Sequence, residues 1–319
     1  MKFTTIKTAS LFILFMATTI ISCSSDDNPI AGDCIPTMWY QDLDSDGLGN
    51  PDISISSCDQ PDGYVADNTD TNDNPIPPTN YLSFALNNNW VYDVTTDDGT
   101  NPATDSVDDI TVDETTTINT MEYYGMTASA GSTGIMTQLF DQNFFRVENG
   151  VSYMQGEFTL PLSNFGGTDI SINLDDAQLI DESKASGTIL TSQSDVTSQT
   201  IGGFDLDITY TLKTVQRETL TSHTVGTETY NDIIKSDIIL TVKVTTEINV
   251  GIPVVVTLLD TQDLLSINNF YANNIGLIDS DTVFTYMLED LSAFPITIPF
   301  PETATINTTQ EITSYTVAN

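Results

Sequence analysis

From residue 79 onward, apolar side chains recur at every second position. Trp90, Tyr92 and Val94 occupy alternate places in one run. Phe204-Asp205-Leu206-Asp207-Ile208-Thr209-Tyr210-Thr211-Leu212 holds a period of two throughout, and Leu240-Thr241-Val242-Lys243-Val244-Thr245 does the same. Successive residues of a strand face opposite ways, so this period predicts strands with one apolar and one wet face. Asn149-Gly150 stands between Phe145-Arg146-Val147 and Val151-Ser152-Tyr153. Two such residues suit a tight turn with both φ angles positive, which predicts a hairpin. Long helical periodicity is absent, and no internal repeat is visible. The pattern predicts a mainly β protein built on a large antiparallel curved sheet, a half-barrel or a sandwich, over residues 79–319.

The first 78 residues have a different texture. Lys2 and Lys7 precede an apolar stretch from Ala9 to Ile21. That stretch is shorter than the roughly 20 residues a spanning helix needs, and polar sequence follows at once. The chain then divides into a signal peptide (1–22), a tether (23–33), an Asp-rich module (34–78) and the β domain (79–319). Asn74-Pro75-Ile76-Pro77-Pro78 reads as a stiff linker.

At the first join stands Ile20-Ile21-Ser22-Cys23. It resembles the bacterial lipobox. The resemblance implies cleavage before Cys23, acylation of its thiol, and a stable membrane anchor through several acyl chains. The following Ser24-Ser25-Asp26-Asp27 is similar to the acidic export signal of Bacteroidetes surface lipoproteins, which implies an outer-membrane lipoprotein displayed on the cell surface. With Cys23 acylated, Cys34 and Cys58 remain as an even pair in an oxidising compartment. A disulfide between them is expected; two free thiols are the alternative.

Between those cysteines runs Trp39-Tyr40-Gln41-Asp42-Leu43-Asp44-Ser45-Asp46-Gly47-Leu48-Gly49. Ca²⁺ is a hard ion that takes 6–8 oxygens. Asp42, Asp44 and Asp46 would supply side-chain oxygens, Gly47 the sharp bend, and Leu48 a carbonyl. This matches the first half of an EF-hand loop. The second half departs, because Ile53 stands where that loop places a bidentate Glu.

Residues 39–76 resemble a family of extracellular metal-binding repeats in the style of thrombospondin type 3 calcium repeats. The shared elements are Trp39-Tyr40, Asp42 to Gly49, Cys58, Pro61, Gly63-Tyr64-Val65 and Asp70-Thr71-Asn72-Asp73. The resemblance implies that Asp70 and Asp73 complete the Ca²⁺ coordination. Thr71 replaces the family's second Cys, which leaves Cys34 as the partner for Cys58. Zinc is disfavoured by the lack of His and free Cys in the module. Trp39 and Tyr40 are expected to pack within it.

A looser resemblance lies in the β domain. Gly226-Thr227-Glu228-Thr229-Tyr230 and Phe270-Tyr271-Ala272-Asn273-Asn274-Ile275-Gly276-Leu277-Ile278 are similar to stretches of periplasmic and surface lipoprotein domains with a curved antiparallel sheet.

Charge narrows the partners. The chain has 45 acidic and 8 basic residues; losing Lys2 and Lys7 takes the formal charge from −37 to −39. Such a surface repels phosphates, so nucleic acid is excluded as a partner. The expected partners are the membrane, calcium, and a glycan or protein ligand.

Catalytic signals are weak. His223 is the sole His, in a polar stretch that reads as a loop or strand end with an exposed structural role. No Gly-x-Ser-x-Gly elbow is present. Asp108-Asp109 and Asp175-Asp176 read as solvated edges. The expected function is therefore a membrane-anchored binding lipoprotein rather than an enzyme. The alternatives are a carbohydrate-active enzyme or accessory using paired carboxylates, and a lipid-handling carrier.

Overall fold

The computed structural model describes residues 34–43, 47–70, 79–160, 168–249, 251–294 and 301–318. The chain forms two compact units, one ending at Pro77 and one starting at Pro78. The expected signal peptide, tether and Pro-rich linker lie outside the described residues.

The first unit holds three short strands: β1 (Thr37–Gln41), β2 (Ser54–Ser57) and β3 (Tyr64–Val65). They pair antiparallel in the order β2-β1-β3. Met38, Ile53 and Ile55 are exposed, so this sheet buries little. A disulfide joins Cys34 to Cys58 with their Cα atoms 5.9 Å apart. Closing a loop of this length contributes on the order of 3 kcal/mol, which a unit with so small a core needs.

The second unit is the large antiparallel sheet. Its elements are β4 (Asn89–Asp97), β5 (Thr104–Ile118), β6 (Met121–Ala128), helix α1 (Ile135–Asp141), β7 (Phe144–Glu148), β8 (Val151–Leu160) and β9 (Ile170–Asp181). There follow β10 (Ile189–Ile201), β11 (Phe204–Val225), β12 (Glu228–Asn249), β13 (Pro253–Ala272), β14 (Gly276–Met287) and β15 (Thr303–Thr316). The alternation read in the sequence becomes β4, β11 and β12, and the Asn149-Gly150 turn joins β7 to β8 with φ of 52° and 74°.

All twelve strands belong to one sheet. Consecutive strands pair from β4 to β9 and from β10 to β15, and β15 pairs back onto β4, so the ends of the unit are zipped together. The one break in the ladder is between β9 and β10. Side chains bridge that seam. Thr168 N donates to Gln199 Oε1 (2.7 Å), and Gln199 Nε2 donates to the Thr168 carbonyl (2.7 Å). Further along, Gln178 N donates to Thr191 Oγ1 (2.8 Å), Thr214 Oγ1 to the Gln178 carbonyl (2.5 Å), and Asp181 N to Gln216 Oε1 (3.0 Å). The sheet is thus a nearly closed barrel. On β4 and β11 the outward positions are polar: Asp93, Thr95, Asp205, Asp207 and Thr209 are exposed, whereas Val107, Val196 and Val255 are exposed apolar side chains on other strands. Among the described residues, no helix is long and apolar enough to cross a membrane.

Eight strands make a barrel that side chains just fill; twelve leave space. Helix α1 occupies part of it. Met136, Thr137, Leu139 and Phe140 are buried, and Phe140 meets Phe145 edge-on with centroids 5.3 Å apart. Asp108 holds the helix in place. Contrary to its expected place on a solvated edge, it is 0% exposed, because it points inward between Ser106 and Ile110 on β5. Its carboxylate accepts Thr133 N at 3.0 Å and Gly134 N at 2.8 Å. A Cβ at Gly134 would sit 2.3 Å from Gln310 Oε1 and 2.7 Å from Asp108 Oδ2, so a larger residue there would have to displace both side chains. Gln310 Nε2 donates to Thr137 Oγ1 (3.0 Å), a second tie between α1 and the wall.

Replacing Asp108 by Ala leaves the buried Gly134 amide and the partly buried Thr133 amide without an acceptor, a loss of about 1–3 kcal/mol set mainly by Gly134. Urea unfolding should show that loss for Asp108→Ala and a smaller one for Asp108→Asn, which keeps one acceptor oxygen. An Asp108→Ala midpoint equal to that of the parent would mean that α1 is held by something else.

Candidate functional site: the acidic module

The described part of the module carries Asp42, Leu48 and Asp70. Asp44, Asp46 and Asp73 lie outside the described residues, as does Cys23. Asp42 follows β1 and its amide donates to the Gly63 carbonyl at 2.9 Å. Its Oδ2 accepts the Gly47 amide at 3.1 Å, closing the loop around a residue with φ of +90°. Its Oδ1 is buried with no hydrogen-bond partner in the protein. A carboxylate oxygen taken from water without a partner is costly, and a cation is the usual remedy.

Gly49 brings the distant half of the module to this loop. A Cβ at Gly49 would lie 2.5 Å from the Asp67 carbonyl and 2.6 Å from Tyr40 Cβ. That contact lets Asp70 N donate to the Gly49 carbonyl at 3.2 Å. Asp70 is 7% exposed, unusual for an acid in so small a unit. Asp67 is differently placed: it caps its own turn, accepting the Thr69 amide (2.7 Å) and hydroxyl (2.5 Å), and those bonds lower its pKa. Trp39 and Tyr40 are half-buried, and Trp39 Nε1 donates to the Ser57 carbonyl at 3.2 Å, so Trp39 packs within the module.

The donor set suits a hard cation. Residues 34–78 hold nine Asp and no Lys, Arg or His. Among the described residues, no group of three or more His, Cys, Asp or Glu is gathered to hold a metal. Asp42, Asp70 and the exposed Leu48 are the expected ligands that the described residues include, and the remaining candidates, Asp44, Asp46 and Asp73, lie outside them.

The β domain carries one His–Asp pair among its described residues. His223 lies inside β11 and is half-buried, not exposed as its polar neighbours suggested. Its ring stacks on Phe270 (centroids 4.1 Å apart, planes at 12°), and Nε2 lies 2.7 Å from Asp279 Oδ2. Among the described residues, no Ser, Thr or Cys side chain is hydrogen-bonded to that ring, so no nucleophile completes the pair. Asp176 also departs from a simple solvated edge: it accepts from Arg146 and from the Tyr123 hydroxyl, while Arg146 stacks on Tyr153 at 3.7 Å.

No protein-family model matches the chain, and no curated protein matches it. Among solved structures, the chain is similar to a Parabacteroides distasonis protein described as a candidate lipoprotein. The identity is 12%, over 75% of this chain and all of that one, with a TM-score of 0.31.

Burial raises the Asp279 carboxyl above its ordinary value of 3.8, the His223 bond only partly opposing this. The folded protein then binds that proton more tightly than the unfolded chain. Stability from this group is present at low pH and is lost as pH rises from 3.8 through the folded value. Asp279→Asn should remove that part of the slope in urea midpoints measured between about pH 3 and 7. An unchanged slope would show that Asp279 titrates alike in both states.

Proposed function

We propose that the chain is an extracytoplasmic lipoprotein. Acyl chains on Cys23 hold it to the outer membrane, facing the exterior. The acidic module is a spacer ordered by Ca²⁺, and the β domain is its ligand-binding part. The observation that carries the calcium reading is Asp42 Oδ1, buried and unpartnered, in a segment with no cationic side chain. Asp42, Asp44, Asp46, the Leu48 carbonyl, Asp70 and Asp73 would hold the ion. The ion would supply charge neutralisation and a common centre for oxygens from both halves of the module. Without it, the carboxylates repel one another and favour an opened loop. Binding energy is then ordering energy, so calcium stiffens the module while the disulfide limits the states it can reach. Extracellular modules of this kind bind at about 10⁻⁴–10⁻³ M, a level suited to calcium-rich surroundings.

Two measurements test this reading. Titration of the Ser24–Asn319 chain with Ca²⁺ should give a saturating heat, and proteolysis between Cys34 and Pro78 should slow in calcium and quicken in chelator. Asp42→Ala should weaken binding at least about 10-fold, the cost of one charged ligand. An Asp26→Ala control in the tether should leave it unchanged. Equal effects of the two substitutions would point to a diffuse ion cloud and sink the site. For the anchor, a clickable fatty acid should label the full-length chain and not Cys23→Ser.

A further inference from the structure

The space that α1 leaves in the barrel is a cavity of about 650 Å³. Walls from opposite sides of the sheet share it: β4, β5, β13, β14 and β15 on one side, β8 and α1 on the other. Most of its lining is apolar, with Phe158, Leu160, Leu265, Phe284 and Ile306 contributing side chains.

One rung of the wall is different. Thr282 on β14 stands opposite Thr308 on β15, Thr308 opposite Thr96 on β4, and Thr96 opposite Thr104 on β5. All four line the cavity. Thr96 and Thr308 share a hydroxyl–hydroxyl bond at 3.1 Å. Side chains two residues apart on a strand share a face. The next inward rung is therefore Asn269, Ser280 and Gln310, which are mutual cross-strand neighbours. Asn269 is 0% exposed with neither amide atom hydrogen-bonded in the protein, and Gln310 Oε1 is likewise without a partner. The cavity thus passes from an apolar wall to a rung of neutral hydroxyls backed by neutral amides.

Charge selects among ligands. Among the described residues, no Lys, Arg or His lines the cavity, and the one charged side chain in its lining is the acid Asp169. Asp108 lies behind Thr133. A carboxylate or phosphate head would meet no cation there, only acids, and would lose its hydration uncompensated. A lone acid in the lining also gives no pair of carboxylates for glycoside hydrolysis.

We infer that this lumen binds a neutral single-chain amphiphile, such as an acylglycerol. Its hydroxyl-bearing head sits on the Thr96–Thr282–Thr308 rung, and its chain lies along Phe158, Leu160, Leu265, Phe284 and Ile306. At roughly 30 Å³ per non-hydrogen atom, the cavity holds a ligand of about 20 such atoms. The inference rests on the reading of the β domain as a binding domain, and it assigns that domain its ligand class.

The test is calorimetric titration of the Ser24–Asn319 chain with two probes below their micellar concentrations, at about pH 8, where a carboxyl group is ionised. Glycerol monolaurate, neutral and of about the right size, should bind; laurate, with the same chain and an anionic head, should bind at least about 10-fold more weakly. Thr282→Val, nearly isosteric, should weaken monolaurate binding about 5-fold, the value of one hydrogen bond. Leu265→Trp, which fills the cavity, should remove it; should that variant misfold by circular dichroism, Thr282→Val alone carries the test. Equal affinity for the two probes, binding that Leu265→Trp leaves intact in a folded protein, or no monolaurate heat at all would each overturn the inference. The calcium titration on the same preparation reports separately on the module, so the two readings fail independently.

Discussion

A twelve-stranded sheet that closes on itself surrounds more volume than its own side chains occupy. An empty apolar lumen forfeits contacts, and a flooded one wets the core. This chain meets that constraint with seven residues of helix folded back inside the wall. Asp108 makes the arrangement possible, because its carboxylate, itself excluded from water, takes the two leading amides of the α1 turn as partners. Gly134 lets helix and wall approach closely enough for that bond, and Gln310 holds Thr137 from the neighbouring strand. The helix is too short to fill the whole lumen. What remains is the cavity, and its chemistry is set by whichever residues the strand register places around it.

Closure has its own logic. The first and last strands of the unit pair through a backbone ladder, with one register shift between Ile312 and Ser314, while two strands adjacent in sequence, β9 and β10, do not. At that seam, side-chain oxygens of Gln199, Thr191 and Gln216 take the place of backbone carbonyls. Side-chain bridges tolerate a wider and less regular spacing than a ladder, so the seam absorbs the geometric mismatch of the closed sheet. The Cys34–Cys58 disulfide plays a corresponding part in the first unit, where covalent linkage substitutes for a core.

Much of this was legible in residue order. The period of two in Phe204–Leu212 and Leu240–Thr245 marks long strands, because a half-buried strand leaves no other pattern. Asn149-Gly150 marks its hairpin for a steric reason that is wholly local. Cysteine parity marked the disulfide. Other features depend on contacts between residues far apart in sequence. Asp108 looks like its exposed neighbour Asp109 until the register shows which one faces inward. Helix α1 is too short for periodicity to announce it. The threonine rung draws one residue from each of β4, β5, β14 and β15, and only the pairing of those strands assembles it. His223 sits among polar neighbours, and its burial comes from Phe270 and Asp279, about fifty residues away in sequence. In the module, the alternating Asp pattern was plain, whereas the burial of Asp70 accompanies the docking of residues 67–70 against Gly49, a contact between residues far apart in sequence.

The central claim is that α1 belongs to the interior of the sheet and is held there by Asp108. Amide hydrogen exchange of the Ser24–Asn319 chain tests it most directly. If the claim holds, the Thr133 and Gly134 amides exchange only through global opening, with the same free energy as the core amide of Ile110. Exchange of Thr133 and Gly134 as fast as that of the exposed 98–103 turn would contradict it, and would place the helix outside a lumen that must then be filled in some other way.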